Sequence, residues 1–141
     1  MDNTYIFSMQ EQLERLESEL NGLNAIIVQR PLNRYEYRAA ERTLQLLIES
    51  CIGIAKHWSY ALTKTASADA YNAFEKLTQA GVEEVEPIKW RKIIGMRNAL
   101  VHDYLNIEPE IIRVVIKQSN YQALFQFAKR GILALSALYP N

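Results

Sequence analysis

The chain has 141 residues, and its 16 basic side chains balance its 16 acidic ones, so the formal net charge is zero. This length suits one domain, and 49% hydrophobic with 23% charged residues is typical of a soluble globular protein rather than a disordered tail. One cysteine and two histidines exclude a disulfide framework and a Cys-rich zinc module, so we predict no metal and no other cofactor. The neutral balance argues against binding nucleic acid by overall charge.

The N-terminal segment does not have the pattern of a targeting sequence. It carries acidic residues early and lacks the apolar centre of a signal peptide. The apolar runs of the chain are far shorter than the roughly 20 residues that a membrane helix needs. Together with a lone cysteine, which suits a reducing compartment, this predicts a cytoplasmic protein without a membrane partner.

Heptad spacing predicts a first long helix that ends near Arg30–Pro31, because proline disfavours helix at the residue before it. Apolar residues recur at steps of three and four and form one stripe, while the positions between them are polar. The stripe consists of Ile6, Met9, Leu13, Leu16, Leu20, Leu23 and Ile27.

A second stripe predicts a helix with an unusually wide apolar surface. The neighbours of the stripe residues, such as Ile48 and Ile52, are also apolar, which is typical of a helix in the middle of a bundle or at a dimer interface. Cys51 is therefore predicted to be a small buried side chain. The stripe consists of Ala40, Leu44, Leu47, Cys51, Ile54, Trp58 and Ala61.

The second half of the chain predicts shorter helices. Ser67 can cap a third helix that stops near Gly81. Pro87 fits the first turn of a fourth helix, which is predicted to continue to about Tyr104. One last helix is predicted from Glu110 to about Leu138.

Within that last helix, the apolar positions include Ile111, Val115 and Leu124, and Gly131 is expected to permit close packing with another helix. The chain shows no alternating strand pattern and no hairpin turn. We therefore predict an all-α fold, an antiparallel bundle of four to five helices that forms a single domain over residues 1–141.

One segment, RNALVHDY from Arg97 to Tyr104, concentrates residues capable of chemistry at the predicted end of the fourth helix. On an ideal helix Arg97 and Tyr104 share a face, whereas Arg97 and His102 are roughly 140° apart. Those two side chains can thus meet on one ligand only at the edge of a groove or where the helix unwinds. Asn98, four residues before His102, can orient its imidazole.

These residue types suit a phosphodiester in RNA. The planar guanidinium of Arg97 can bind phosphate oxygens, and His102 can transfer a proton near neutral pH. The 2′-hydroxyl of RNA provides the nucleophile, so that neither a metal nor a nucleophilic side chain is required. The alternative is an ordinary cation and a hydrogen-bonded histidine at a helix C-terminus, where the dipole favours both.

The segment RNALVHDY resembles the Arg-x4-His-x-Tyr signature of HEPN-domain proteins, specifically the HepT-like toxins of type VII toxin–antitoxin systems. Residues 39–58 resemble the central helix of that family, and Phe74, Leu77 and Gly81 resemble its spacing before the signature. One departure is Gly53, at a position where many relatives carry an acidic residue.

The resemblance implies an all-helical HEPN bundle that forms a homodimer and cleaves RNA without a metal in a cleft between the two signatures. Arg97 would hold the scissile phosphate, His102 would transfer protons and Asn98 would position one or both, with Asp103 as a weaker candidate. It also implies a partner, a minimal nucleotidyltransferase antitoxin (MntA-like) that transfers AMP to Tyr104.

Two alternatives remain open in the sequence. The chain can instead be a non-catalytic HEPN partner of a minimal nucleotidyltransferase, or a purely structural helical dimer. His57 can be a structural histidine on the apolar second helix or line the cleft. The charge is uneven, since residues 1–30 hold two basic and five acidic groups, net −3, and residues 91–141 hold seven and three, net +4. A local RNA site in the basic half is therefore compatible with zero net charge.

Overall fold

The computed structural model describes residues 3–102 and 108–140 and contains only helices within those ranges. This confirms the all-α prediction, although the described ranges contain six helices where four or five were predicted. None of the described helices is long and apolar enough to cross a membrane. The helices are α1 (Asn3–Ile27), α2 (Arg34–Thr63), α3 (Ala70–Gln79), α4 (Trp90–Val101), α5 (Pro109–Lys117) and α6 (Gln122–Leu138).

Helix α2 is the centre of the bundle and packs against each of the other five helices. All seven residues of its predicted stripe are buried, including Cys51. Helix α1 runs antiparallel to it, since Gln12 Nε2 donates to Ser50 Oγ, whereas the later residue Glu19 accepts from the earlier Thr43 Oγ1. The wide apolar surface predicted from the sequence is therefore buried, whereas Arg38, Arg42 and Lys56 mark an exposed side of α2.

The start of α2 is fixed by a capping box. The Glu36 N–H donates to Asn33 Oδ1 and the Asn33 N–H donates to Glu36 Oε1, both at 2.8 Å. The guanidinium of Arg30 also donates two hydrogen bonds to the Glu36 carboxylate. The bonds from Arg30, followed by that from Asn33, lower the pKa of Glu36 to about 2. The turn between α1 and α2 is thus held by polar contacts.

The start of α3 differs from the prediction. Asp69, not Ser67, is the N-cap, and its side chain accepts a hydrogen bond from the Asn72 N–H at 2.8 Å. Both residue types are good caps, so the sequence alone could not choose between them. The predicted stop at Gly81 is confirmed, because Gly81 has φ 89° directly after the helix.

Helix α4 begins later than predicted, at Trp90 rather than Pro87. Residues before it form turns, and the Trp90 Nε1 group donates to the Val85 carbonyl at 3.1 Å, which holds those turns against the helix. The helix ends at Val101. The predicted end near Tyr104 lies outside the described residues.

The predicted last helix is two helices, α5 and α6, because the backbone turns at Ser119 with φ 56°. The buried Tyr121 follows, and its hydroxyl donates to the Leu20 carbonyl of α1 at 3.3 Å. Because of the break, α5 faces the core with Ile112, which is fully buried. The predicted apolar position Ile111 is instead 48% exposed. A contact between distant parts of the chain therefore decides this end of the bundle.

Helix α4 lies at the surface. Its backbone packs close to α2 and α3, and Trp90, its only buried residue, also reaches α6. The Trp90 ring stacks on Phe74 of α3 at 3.8 Å between ring centroids and meets Phe127 of α6 at 4.9 Å. Anchored at its first residue, α4 leaves its outer face and its C-terminal end open to solvent.

Two glycine substitutions are expected to change stability in opposite directions. Gly131 of α6 lies against α2 as predicted, and a Cβ there would collide with Ile54 and lie 3.3 Å from Trp58 Cε3. Gly131→Ala should therefore lower the free energy of unfolding by about 1–3 kcal/mol. Gly22→Ala, where no atom lies within 4 Å of the added Cβ, should raise it by about 0.5–1 kcal/mol. Urea denaturation measures both, and a stable Gly131→Ala would contradict the close packing.

Candidate active site

The C-terminal end of α4 brings Arg97 and Asn98 into direct contact. Arg97 Nε donates to Asn98 Oδ1 at 2.9 Å, which fixes the plane of the guanidinium at its inner nitrogen. Arg97 is half-buried and Asn98 is exposed. The terminal nitrogens of Arg97, which form the fork that suits phosphate oxygens, donate to no described residue.

His102 lies where α4 unwinds. It is the C-cap, with φ −97° and ψ 81°, and its N–H donates to the Asn98 carbonyl at 2.9 Å. Because the backbone leaves helical geometry there, the ideal separation of roughly 140° from Arg97 no longer applies. From the sequence, the two side chains were expected to share a ligand only at a groove edge or where the helix unwinds. Helix α4 does unwind at His102. His102 is exposed.

The remaining signature candidates, Asp103 and Tyr104, lie outside the described residues, as do residues 105–107. Within residues 3–102 and 108–140, no group of three or more His, Cys, Asp or Glu side chains is placed to hold a metal ion. The described part of the site is thus one guanidinium, one amide and one imidazole at the end of a surface helix.

Comparison with known proteins gives this site its context. The family model described as "Ribonuclease HepT-like" matches residues 9–131, which include every described signature residue. The chain belongs to the HepT-like ribonuclease family. The resemblance inferred from RNALVHDY is therefore confirmed.

One curated relative is a "tRNA nuclease HepT" from Aphanizomenon flos-aquae (strain 2012/KM1/D3). It is 34% identical over 80 residues, which cover 54% of this chain and 52% of the relative. The chain thus spans about half the length of the curated relative that it matches. No solved structure matches the chain.

The space beside Gly53 is filled by Tyr5 of α1. A Cβ built on Gly53 would lie 3.2 Å from the Tyr5 hydroxyl oxygen, and that buried oxygen has no hydrogen-bond partner among the described residues. Burial, with a smaller contribution from Cys51, raises the pKa of Tyr5 to about 12. The sequence reasoning missed Tyr5, because only the fold brings it to α2.

His57 packs against the same tyrosine. Its ring centroid is 4.3 Å from that of Tyr5, and partial burial lowers the pKa of His57. No described hydrogen bond or ring contact joins His57 to Arg97 or Asn98. Within one copy, the structure therefore brings His57 to α1, which does not contact α4, rather than to the described signature residues.

The buried thiol of Cys51 has a structural environment, as predicted. Cys51 is completely buried, and its Sγ donates to the Leu124 carbonyl at 3.5 Å. Burial raises the pKa of the thiol, so the thiolate that a nucleophile needs is disfavoured.

Removal of the Tyr5 hydroxyl is expected to stabilise the protein. A buried polar group without a partner costs about 1–3 kcal/mol, so Tyr5→Phe should raise the free energy of unfolding by about 1 kcal/mol. Tyr60→Phe is the matched control, because Tyr60 is 52% exposed and should leave stability unchanged. Urea denaturation of the three proteins measures the difference, and a destabilised Tyr5→Phe would mean that the hydroxyl is bonded in solution.

Proposed function

We propose that the chain is a metal-independent RNA endonuclease toxin that acts in the cytoplasm as a homodimer. The observation that carries the proposal is the Arg97–Asn98 hydrogen bond beside an exposed His102 at the unwound end of α4. Membership in a ribonuclease family adds independent support. The terminal nitrogens of Arg97, which donate to no described residue, would be the groups that bind phosphate.

The proposed reaction is a transfer within the RNA itself. The 2′-oxygen forms a bond to phosphorus while the bond from phosphorus to the 5′-oxygen breaks, which leaves a 2′,3′-cyclic phosphate and a 5′-hydroxyl. One proton leaves the 2′-hydroxyl and one reaches the 5′-oxygen. Arg97 would bind the non-bridging phosphate oxygens, where negative charge grows in the transition state.

A homodimer fits the proton transfers. The reaction uses a base and an acid, whereas each copy has one histidine in its signature, His102. Two copies related by a twofold axis would bring two His102 side chains to one cleft. The printed name of the relative makes tRNA the substrate class that we propose to test first.

The proposed control of the toxin is a covalent block. A minimal nucleotidyltransferase antitoxin would transfer AMP from ATP to the Tyr104 hydroxyl and release pyrophosphate. Tyr104 belongs to the same signature as Arg97 and His102, so AMP there would add bulk and negative charge near the phosphate site. A non-catalytic partner of the same enzyme is the alternative.

Loss of either proposed catalytic side chain should stop RNA cleavage. Arg97→Ala and His102→Ala are each expected to reduce cleavage of total tRNA by about a hundredfold or more, and to relieve growth arrest on expression. Wild-type cleavage should continue in EDTA and yield cyclic phosphate ends. Arg15→Ala, an exposed arginine on α1, is the matched control and should cleave like wild type.

The outcomes of that assay separate the alternatives. If unmodified wild type and variants are equally inert, the toxin proposal fails. An inert chain that still binds the nucleotidyltransferase would support the non-catalytic partner. Asn98 is tested in a double-mutant cycle, because a residue that acts by holding Arg97 should add no further loss in the Arg97→Ala background.

Coexpression with the nucleotidyltransferase tests the proposed modification. Intact-mass measurement should find one or more AMP units on the wild-type chain and none on Tyr104→Phe. If the wild-type toxin is neutralised while its Tyr104 stays unmodified, inhibition is by binding alone and the covalent block is wrong.

A further inference from the structure

A groove of about 460 Å³ lies between α3 and the start of α4, away from the signature. Phe74 and Trp90, a stacked and buried pair, lie at its base. Its rim carries the side chains of Glu75, Glu86 and Arg91. A volume in the range of small-molecule sites, with aromatic side chains at its base and a polar rim, suits a flat heterocycle.

Arg91 and Tyr71 form the part of this groove that can stack a base. The Arg91 guanidinium carbon lies 3.9 Å from the centroid of the Tyr71 ring, so the two planar groups are held together. Arg91 is exposed and Tyr71 is half-buried. Unpaired bases of RNA stack on aromatic rings and on guanidinium planes, and this pair offers both.

One face of α4 leads from the groove to the signature. Arg91, Gly95, Asn98 and His102 follow at steps of four, three and four residues, and all four are exposed. At about 1.5 Å per residue, Arg91 lies roughly 10 Å from Asn98 along the helix axis. That length matches about three stacked nucleotides at roughly 3.4 Å each.

The charge around α4 favours RNA, and Arg91 is the basic residue on this face. Residues 87–102 contain four basic residues and no acidic one, which suits a phosphate backbone lying along α4. The groove itself also has the carboxylates of Glu75 and Glu86, which would repel a phosphate. Those carboxylates can accept hydrogen bonds from the amino groups of a base, so the groove suits the base and α4 suits the backbone.

We propose that the groove between α3 and α4 is a nucleotide subsite, in which the Arg91–Tyr71 pair stacks a base about three nucleotides from the scissile phosphate. Gly95, whose outer side has no atom within 4 Å of an added Cβ, is the point where the RNA backbone passes closest to the helix. This proposal rests on the proposed ribonuclease function, and it deepens that function by assigning substrate selection to α4.

The test uses a short RNA that copies the tRNA stretch cut by the wild-type chain, with one abasic nucleotide moved along it. Binding is measured by fluorescence anisotropy and cleavage by product analysis. For wild type, an abasic nucleotide about three positions from the cut should weaken binding and cleavage about tenfold. Arg91→Ala and Tyr71→Ala should weaken binding of the intact RNA about tenfold and should no longer sense the abasic position.

Two further variants separate stacking from charge and from misfolding. Arg91→Lys keeps the charge but not the planar group, so it should behave like Arg91→Ala, and rescue by lysine would overturn the stacking role. Arg91 is exposed, so its substitution should leave folding intact. The test therefore does not depend on whether the half-buried Tyr71 can be replaced without misfolding. Arg15→Ala on α1 should retain both binding and abasic sensitivity.

Failure of the subsite differs from failure of the function. If the wild-type chain cleaves RNA but Arg91→Ala keeps the same abasic sensitivity, the subsite is wrong and the ribonuclease stands. If no RNA is cleaved, the ribonuclease proposal fails, and the subsite is decided by anisotropy with a labelled tRNA anticodon-loop RNA. Equal affinities of Arg91→Ala and Arg15→Ala in that measurement overturn it.

Gly95→Ala tests the path between the groove and the signature. The added methyl group meets no atom of the chain, and alanine favours helix over glycine, so the thermal midpoint should rise. Cleavage should nevertheless fall about tenfold, because the methyl group lies where the backbone passes. A variant that is more stable and equally active would show that RNA does not cross α4 at Gly95.

Discussion

The fold depends on burial of the wide apolar surface of α2. Helix α2 packs against all five other helices, and residues as distant as Ala40 and Ala61 are both buried. The remaining helices are arranged by this demand. Gly131 is part of the same packing. Helix α6 can approach Ile54 and Trp58 of α2 closely only because Gly131 has no side chain.

Helix α4 differs from the other described helices, because only its first residue is buried. It is anchored through Trp90 at one end, and the rest of the helix is half-buried or exposed. A helix held at its N-terminal end can expose one face along its length and unwind at the other end, at His102. The zero net charge of the chain does not prevent α4 from being basic, since the acidic residues lie mainly elsewhere.

Periodicity in the sequence predicted the parts of this fold that depend on local spacing. The stripe from Ala40 to Ala61 is buried in full, and Gly81 ends α3 because its backbone has positive φ. The two-helix form of the C-terminal region was not predictable, since Tyr121 is fixed by a carbonyl 101 residues earlier in the chain.

The candidate site likewise has features that the sequence predicts and features that it does not. Arg97, Asn98 and His102 are close in sequence, and their motif was visible without a structure. The meeting of Tyr5 with Gly53 joins α1 to α2, and the groove beside Arg91 needs a turn held by Trp90 and the Val85 carbonyl. Such contacts between distant segments leave no periodic signal in the sequence.

The complete burial of Cys51 has a consequence for chemical probing of the molecule. A thiol with a raised pKa, enclosed by the core, reacts slowly with alkylating reagents. Since it is the sole cysteine of the chain, a second cysteine introduced on the outer face of α4 would be the one that reacts. Site-directed crosslinking from that face can thus be carried out in the natural sequence background, without first replacing a residue of the core.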